Sequence, residues 1–289
     1  AITVSDTTSV TVTQANALNA LTGGVVTATI STDDIDALED LTGTGNAYTI
    51  TVSDSSVSAA KLTALNAKTT VDVTVSSATV TGTATEIDSA YDSTGFTGLG
   101  SEALTVNSGT ASVSEVNTLG GHTEGVVTAT VTEGDMTTLA GITETGNALS
   151  VTVTDTSVSA TALTALDGKT TVAVNAGAVT TLTGTETEQL AAYAAQRDGT
   201  ITGLDNAFDA ASYLASHSDL LGTYTTASVK SYFFDFGIAE GRALDTFDEA
   251  TYLASYTDLL AYYGTDTSSV TSHYVTFGYG EGRSTDAFD

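Results

Sequence analysis

One stretch of this chain is written twice. Residues 46–71 read NAYTITVSDSSVSAAKLTALNAKTTV and residues 147–172 read NALSVTVTDTSVSATALTALDGKTTV, in register 101 positions apart. GVVTATI at residues 24–30 returns as GVVTATV at 125–131, with the same spacing. A short segment that recurs and cannot close a hydrophobic core alone must share one with its neighbours. The repetition also bears on function. A catalytic site is normally unique, whereas an array of repeats supplies surface and length.

Each copy divides again into units of roughly 22–30 residues. A unit opens with period-two alternation, as in Ile50-Thr51-Val52, Val71-Asp72-Val73-Thr74-Val75 and Val151-Thr152-Val153. That pattern predicts a strand with one buried and one Thr-rich face. An Asp, Ser or Thr follows, then a helical pattern. The apolar face runs Ile35, Leu38, Leu41 after Asp34, then Val57, Leu62, Leu65 after Asp54. It returns as Met136, Leu139, Ile142, and as Val158, Leu163, Leu166 after Asp155. Thr83-Ala84-Thr85-Glu86 and Thr185-Glu186-Thr187-Glu188 fit the capping box T-x-x-E. Gly pairs and Gly-Asn (Gly23-Gly24, Gly45-Asn46, Gly120-Gly121, Gly146-Asn147) close units as turns require. One strand and one short helix cannot bury their own stripe. Stacked units therefore predict an α/β repeat, a β/α solenoid with a parallel sheet and short helices. Eight units at about 4.8 Å span roughly 40 Å. The first copy covers 1–101 and the second 102–200, read as one continuous solenoid. Two packed α/β domains of about 100 residues each are the alternative.

Composition changes after residue 200. Seven of the 8 Phe and nine of the 12 Tyr lie in residues 201–289. FDAASYLASHSDLL at 208–221 matches FDEATYLASYTDLL at 247–260, and Phe288-Asp289 would open a third copy. Val229, Tyr232, Phe233 and Phe236 form a helical stripe repeated by Val270, His273, Tyr274 and Phe277. Gly237 and Gly278 stand where each helix is expected to end. The tail is predicted to be an all-α tandem repeat of helical hairpins, about 40 residues each, with an aromatic core.

The tail's frame is F-D-x-x-x-Y-L, then D-L, then H-Y, then G-x-x-E-G-R. It is filled by Phe208-Asp209, Tyr213-Leu214, Asp219-Leu220, Tyr232, Gly237 and Glu240-Gly241-Arg242. It is filled again by Phe247-Asp248, Tyr252-Leu253, Asp258-Leu259, His273-Tyr274, Gly278 and Glu281-Gly282-Arg283. In these residues the tail resembles a module of bacterial secreted and surface proteins. It departs in lacking the usual Pro after F-D, and in carrying Ser231 where His is usual. The Thr/Asp-rich front is similar in style to repeats of S-layer and type I-secreted adhesin-like proteins. The glycine-rich nonapeptide that binds calcium in such proteins does not occur here, so that mechanism is not implied.

The net charge is −28, from 35 acidic against 7 basic residues. No basic stripe exists to neutralise phosphates, which excludes nucleic acid as a partner and disfavours anionic membranes. The chain has no Cys, so no disulfide framework and no thiolate chemistry. No apolar run is long enough to span a membrane. Few bases with abundant Thr, Ser, Gly and Asp match an extracellular protein. The opening inside a strand pattern and the closing Phe288-Asp289 match an excerpt of a longer chain.

Four groups of residues are candidate sites. The three His are scattered, with no nucleophile context, so an enzyme is not expected. Asp6, Asp54 and Asp155 recur at strand-to-helix turns, and Asp33, Asp34 and Asp36 open the densest acidic run. They read as helix caps, or as a stacked carboxylate row whose cofactor would be Ca²⁺. Arg242 and Arg283, with Glu240, Glu281, Tyr232 and Tyr274, occupy equivalent places in the tail. They read as interaction residues for sugar or partner, or as clamps in which each Arg grips a carboxylate such as Asp219 or Asp258. Thr27/Thr29, Thr49/Thr51, Thr128/Thr130 and Thr152/Thr154 form T-x-T ranks like those of ice-binding proteins, or simply a solvated β face. The expected function is an extracellular structural protein that self-assembles as part of a surface layer, matrix fibre or filament. Its partners would be further copies of itself and cell-envelope polysaccharide. The alternative is an adhesin that binds carbohydrate or ice.

Overall fold

In a computed structural model, residues 1–4 and 8–287 are described. The chain is mixed α/β, with parallel sheets and, among the described residues, thirteen α-helices. It divides into two compact units: Ala1–Thr152 with Gly168–Val172, and Val153–Asp167 with Ala173–Asp289. The division falls inside the second 101-residue copy.

In the first unit every described strand pair is parallel. Partners lie one segment apart along the chain, as in Thr27 beside Ala47, Val57 beside Val80 and Thr79 beside Ala103. A five-stranded sheet runs Ala148–Ser150, Val127–Thr130, Ala103–Val106, Thr79–Gly82, Ser56–Ser58 in spatial order. Its register aligns Val57, Val80, Leu104 and Val127 in one inward column, none more than 1% exposed. The next residues, Ser58, Thr81, Thr105 and Thr128, form the outward column. The Thr/Val alternation is therefore the two faces of one sheet. Helices Ala59–Asn66, Ala84–Tyr91 and Val113–His122 pack on strands of this sheet, the last on Val127–Thr130, and successive helices pack on one another. They bury Leu62, Leu65, Ile87 and Leu119 completely or nearly so. Each such side chain contributes about 1.5–3 kcal/mol on burial.

The turn Asp54-Ser55-Ser56-Val57 does not open a helix, as its Val57 was expected to. Ser56–Ser58 is a second strand, and the helix begins at Ala59. Ser-Val-Ser is itself a period-two pattern, and Val57 pairs with Val80 inside the sheet. The same holds for Ser157–Ser159 in the second unit. The capping boxes at Thr83/Glu86 and Thr185/Glu188 are formed, and so are two more, at Thr11/Gln14 and Ser112/Glu115.

Two buried asparagines mend the sheet where regular pairing breaks. Asn46 is 2% exposed and its Oδ1 accepts the Val26 amide at 2.9 Å; Asn147, 5% exposed, does the same for Val127 at 2.8 Å. Their carbonyls accept from the amides of Thr70 and Thr171. Thr69 and Thr170 hydroxyls likewise take the amides of Tyr48 and Leu149. The bonds recur 101 positions apart. Gly45 and Gly146, at φ 75° and 80°, supply the left-handed turn before each Asn.

In the second unit, Ser157–Ser159 pairs with Thr181–Thr183, and Val174–Asn175 with Ile201–Thr202, both in parallel. Helices Ala160–Asp167 and Glu186–Asp198 pack together. Beyond Gly203 the described elements are short helices joined by turns and loops, with one isolated bridge, Leu221 to Tyr224. Residue 200 is not a break in packing. Tyr193, on helix Glu186–Asp198, meets Phe208, Phe233 and Phe234 edge-on at 6.1, 5.4 and 5.9 Å. Phe208 stacks on Phe233 at 4.4 Å, and the next module repeats this as Phe247 on Tyr274 at 5.1 Å. Ser216 Oγ accepts the amides of Thr246 and Phe247, joining one module to the next.

Gly237 and Gly278 end helices as expected, each being the last residue of a π-helical turn, Phe233–Gly237 and Tyr274–Gly278, and a Cβ at either would strike the hydroxyl of Tyr213 or Tyr252. The positive φ values fall later, at Gly241 and Gly282.

Replacing a buried Asn strands a backbone amide. Asn46→Ala and Asn147→Ala are each expected to lower unfolding free energy by about 1–3 kcal/mol, measured by urea denaturation. A neutral result at both would show that these side chains do not carry the neighbouring strand.

Candidate interaction site in the aromatic tail

Each tail module is closed by one arginine. Arg242 donates from Nη1 and Nη2 to the two carboxylate oxygens of Asp219, at 3.0 and 2.9 Å, and from Nε to Glu240 at 2.6 Å. Arg283 does the same with Asp258, at 3.0 and 2.7 Å, and with Glu281 at 2.6 Å. The expected fork-to-fork grip is present in both copies. A ring covers each guanidinium. Tyr232 lies 5.5 Å from that of Arg242 and Tyr256 lies 4.7 Å from that of Arg283. The Tyr232 hydroxyl also donates to Glu240 at 2.7 Å.

The electrostatics follow from this geometry. Arg242 holds the carboxyl of Asp219 below its ordinary range, and Arg283 does so for Asp258. Glu240 is lowered by Arg242 first and Tyr232 second. Both guanidiniums are raised by the carboxylates they grip. Their main donors are spent on the protein itself, so these arginines fasten the module.

The six interaction candidates separate. Arg242, Arg283, Glu240 and Glu281 make the clamps. Tyr232 is half-buried and belongs to the first clamp. Tyr274 is 3% exposed, stacked in the core on Phe247, and presents no surface. The two tyrosines are not equivalents. Both π turns begin 41 residues apart, which matches Tyr232 with His273 and Phe233 with Tyr274. The placement of Ser231 against His273 is thereby corrected. Tyr252 makes a 3.2 Å hydrogen bond with His273 Nδ1, whereas the Tyr213 hydroxyl is buried without a partner.

The exposed rings were not legible as such. Phe236 and Phe277 are 56% and 58% exposed, although the 3.6-residue stripe placed them inside. The π turn widens the helix. The inward positions become Val229, Phe233 and Gly237, each four apart, and the phenylalanines rotate outward. Tyr262, Leu260 and Tyr279 are also exposed.

The acidic candidates do not converge. Asp6 lies outside the described residues. Asp34 caps helix Ile35–Leu38, and Asp54 Oδ2 accepts the Ile35 amide at 3.0 Å. Asp33 accepts from the Ser53 hydroxyl, and Asp36 pairs with Lys61. Asp155 sits half-buried in the second unit. None of these belongs to a described group of three ligand atoms within 4.8 Å. Compared with known proteins, the chain matches no family model, no curated protein and no solved structure.

Because Asp219 and Asp258 have lowered folded pKa values, their stabilisation is complete above the unfolded value of about 3.9. It is lost as pH falls through the lower folded values. The melting temperature is therefore expected to drop below about pH 4, and an Arg242→Gln/Arg283→Gln variant to show a flatter acid profile. Identical profiles in calorimetry would show that the clamps do not set the tail's acid stability.

Proposed function

We propose that the chain is an extracellular structural protein without catalytic activity, a subunit or segment of a bacterial surface layer, matrix fibre or filament that self-assembles. The strand–helix segments of each unit are read as turns of a β/α solenoid. The parallel register and the columns of shared core residues support that reading. The tail's resemblance to modules of secreted surface proteins supports the location.

The observation that carries self-assembly is the paired exposure of Phe236 and Phe277. Each lies on a module whose own core is closed, and water is an unfavourable neighbour for a ring. A patch that meets a different patch on the next copy generates an open filament or lattice. Contacts between copies that each carry −28 require screening. Sedimentation at rising concentration is expected to show large assemblies at about 1 M salt and weaker ones at about 0.1 M. Phe236→Ser/Phe277→Ser should remain monomeric. A parent chain that stays monomeric throughout would overturn the proposal.

A second reading, an adhesin for carbohydrate or ice, is favoured by the hydroxyl columns. Thr51, Thr74 and Thr97 stand side by side on three parallel strands, with Thr97 Oγ1 3.3 Å from Thr74 Oγ1. It predicts glycan-array signal or inhibition of ice recrystallisation, lost in Thr74→Tyr. Absence of both activities eliminates it.

A further inference from the structure

One cluster in the first unit breaks the repeat. Asp88 lies on helix Ala84–Tyr91 and Asp92 is its C-cap, so the two carboxylates share one face at i and i+4. His122 is the last residue of the neighbouring helix Val113–His122. One ligand atom from each lies within 4.8 Å of the others. His122 Nε2 is 2.8 Å from Asp88 Oδ1.

The imidazole is held in place from behind. Its ring stacks on Tyr91 at 5.2 Å and 27°. The Tyr91 hydroxyl donates to Glu102 at 2.8 Å. Glu102 is 4% exposed, and it accepts the amides of Gly100 and Ser101 at 2.7 and 3.1 Å. The stacked phenol, itself tied to a buried carboxylate, fixes the plane of the imidazole ring.

Charge argues the same way. Like charges at i and i+4 repel, and both helices bring the negative ends of their dipoles to this spot. A dication would relieve both. The repeat supplies an independent argument. The matching helices retain Tyr91 as Tyr193, yet carry Leu190, Ala194 and Leu21 where this one carries Asp88, Asp92 and His122. Neither matching helix, one in each copy, carries these ligands, while the helix frame persists in both.

We propose that Asp88, Asp92 and His122 bind a first-row transition-metal dication, with zinc as the reference ion. One nitrogen and carboxylate oxygens suit that class, whereas calcium takes an all-oxygen shell. Two bonds of about 2.0–2.1 Å at the tetrahedral angle separate their ligand atoms by about 3.3 Å. The His122–Asp88 edge, 2.8 Å without an ion, would open by about half an ångström to admit one. The inference is independent of assembly.

The experiment is calorimetric titration of the metal-stripped full chain with ZnCl₂, beside CaCl₂. One saturable zinc equivalent is expected, with a visible d–d band on Co²⁺ substitution. His122→Leu and Asp92→Ala introduce the residues of the matching helices, so folding should be retained, as checked by circular dichroism. Each should weaken the zinc equivalent by at least about tenfold. Three results would overturn the site: no stoichiometric zinc binding, affinity unchanged in both folded variants, or calcium competing for the same equivalent.

Discussion

Backbone hydrogen bonding between segments some two dozen residues apart is the constraint on which the α/β part of this protein depends. A strand of three or four residues has no stability alone. Here each passes its amides and carbonyls to the next in parallel, and the register aligns apolar side chains into columns no single segment could complete. Val57, Val80, Leu104 and Val127 are one such column. Where pairing lapses, buried polar side chains substitute for backbone. Asn46 and Asn147 each satisfy an amide of the preceding strand and turn the chain after a left-handed glycine. An unpaired buried amide costs more than an average hydrogen bond contributes, so these side chains are part of the ladder.

The tail solves the same problem with rings. A module of about 40 residues is too small to close a core of Ala and Val. It stacks Phe208 on Phe233, or Phe247 on Tyr274, and ties its ends with Arg242 or Arg283. The π turn is what the ring packing demands. The hydroxyl of Tyr213 or Tyr252 occupies the space of a Cβ at Gly237 or Gly278, and the widened turn lets backbone and ring approach. That turn also puts Phe236 and Phe277 in water, which links the core's geometry to the surface the module presents.

Parallel pairing and the buried faces were legible because the period-two alternation and the 3.6-residue stripes are strong in the front part. The arginine clamps were legible because two bases at equivalent places, in so acidic a chain, had few roles other than gripping carboxylates. Three features were not. Ser-Val-Ser before each Ala59-type helix is too short for periodicity to separate strand from helix start. The exposed phenylalanines depend on a π turn, which leaves no mark in a 3.6-residue reading. The Asp88, Asp92 and His122 group joins residues 34 positions apart at their extremes, and the stacking of two helices brings them together.

In a repeated chain, information about chemistry lies in departures from the repeat. Positions that recur, such as the capping threonines, the buried valines and Asn46/Asn147, are explained by folding alone. A departure at one isolated position is ordinary surface drift. Departures that coincide in space are different in kind. Asp88, Asp92 and His122 come from two helices, replace apolar counterparts, and crowd negative charge at two helix ends in a chain already at −28. Folding gains the His122–Asp88 hydrogen bond from that arrangement, while like charge and the helix dipoles oppose the second carboxylate, Asp92. The supporting Tyr91–Glu102 pair, with its carboxylate buried and bonded to two backbone amides, fixes the ring that faces the carboxylates. A rigid imidazole beside two acids on a rigid helix is an arrangement in which an ion, once bound, would meet little reorganisation cost.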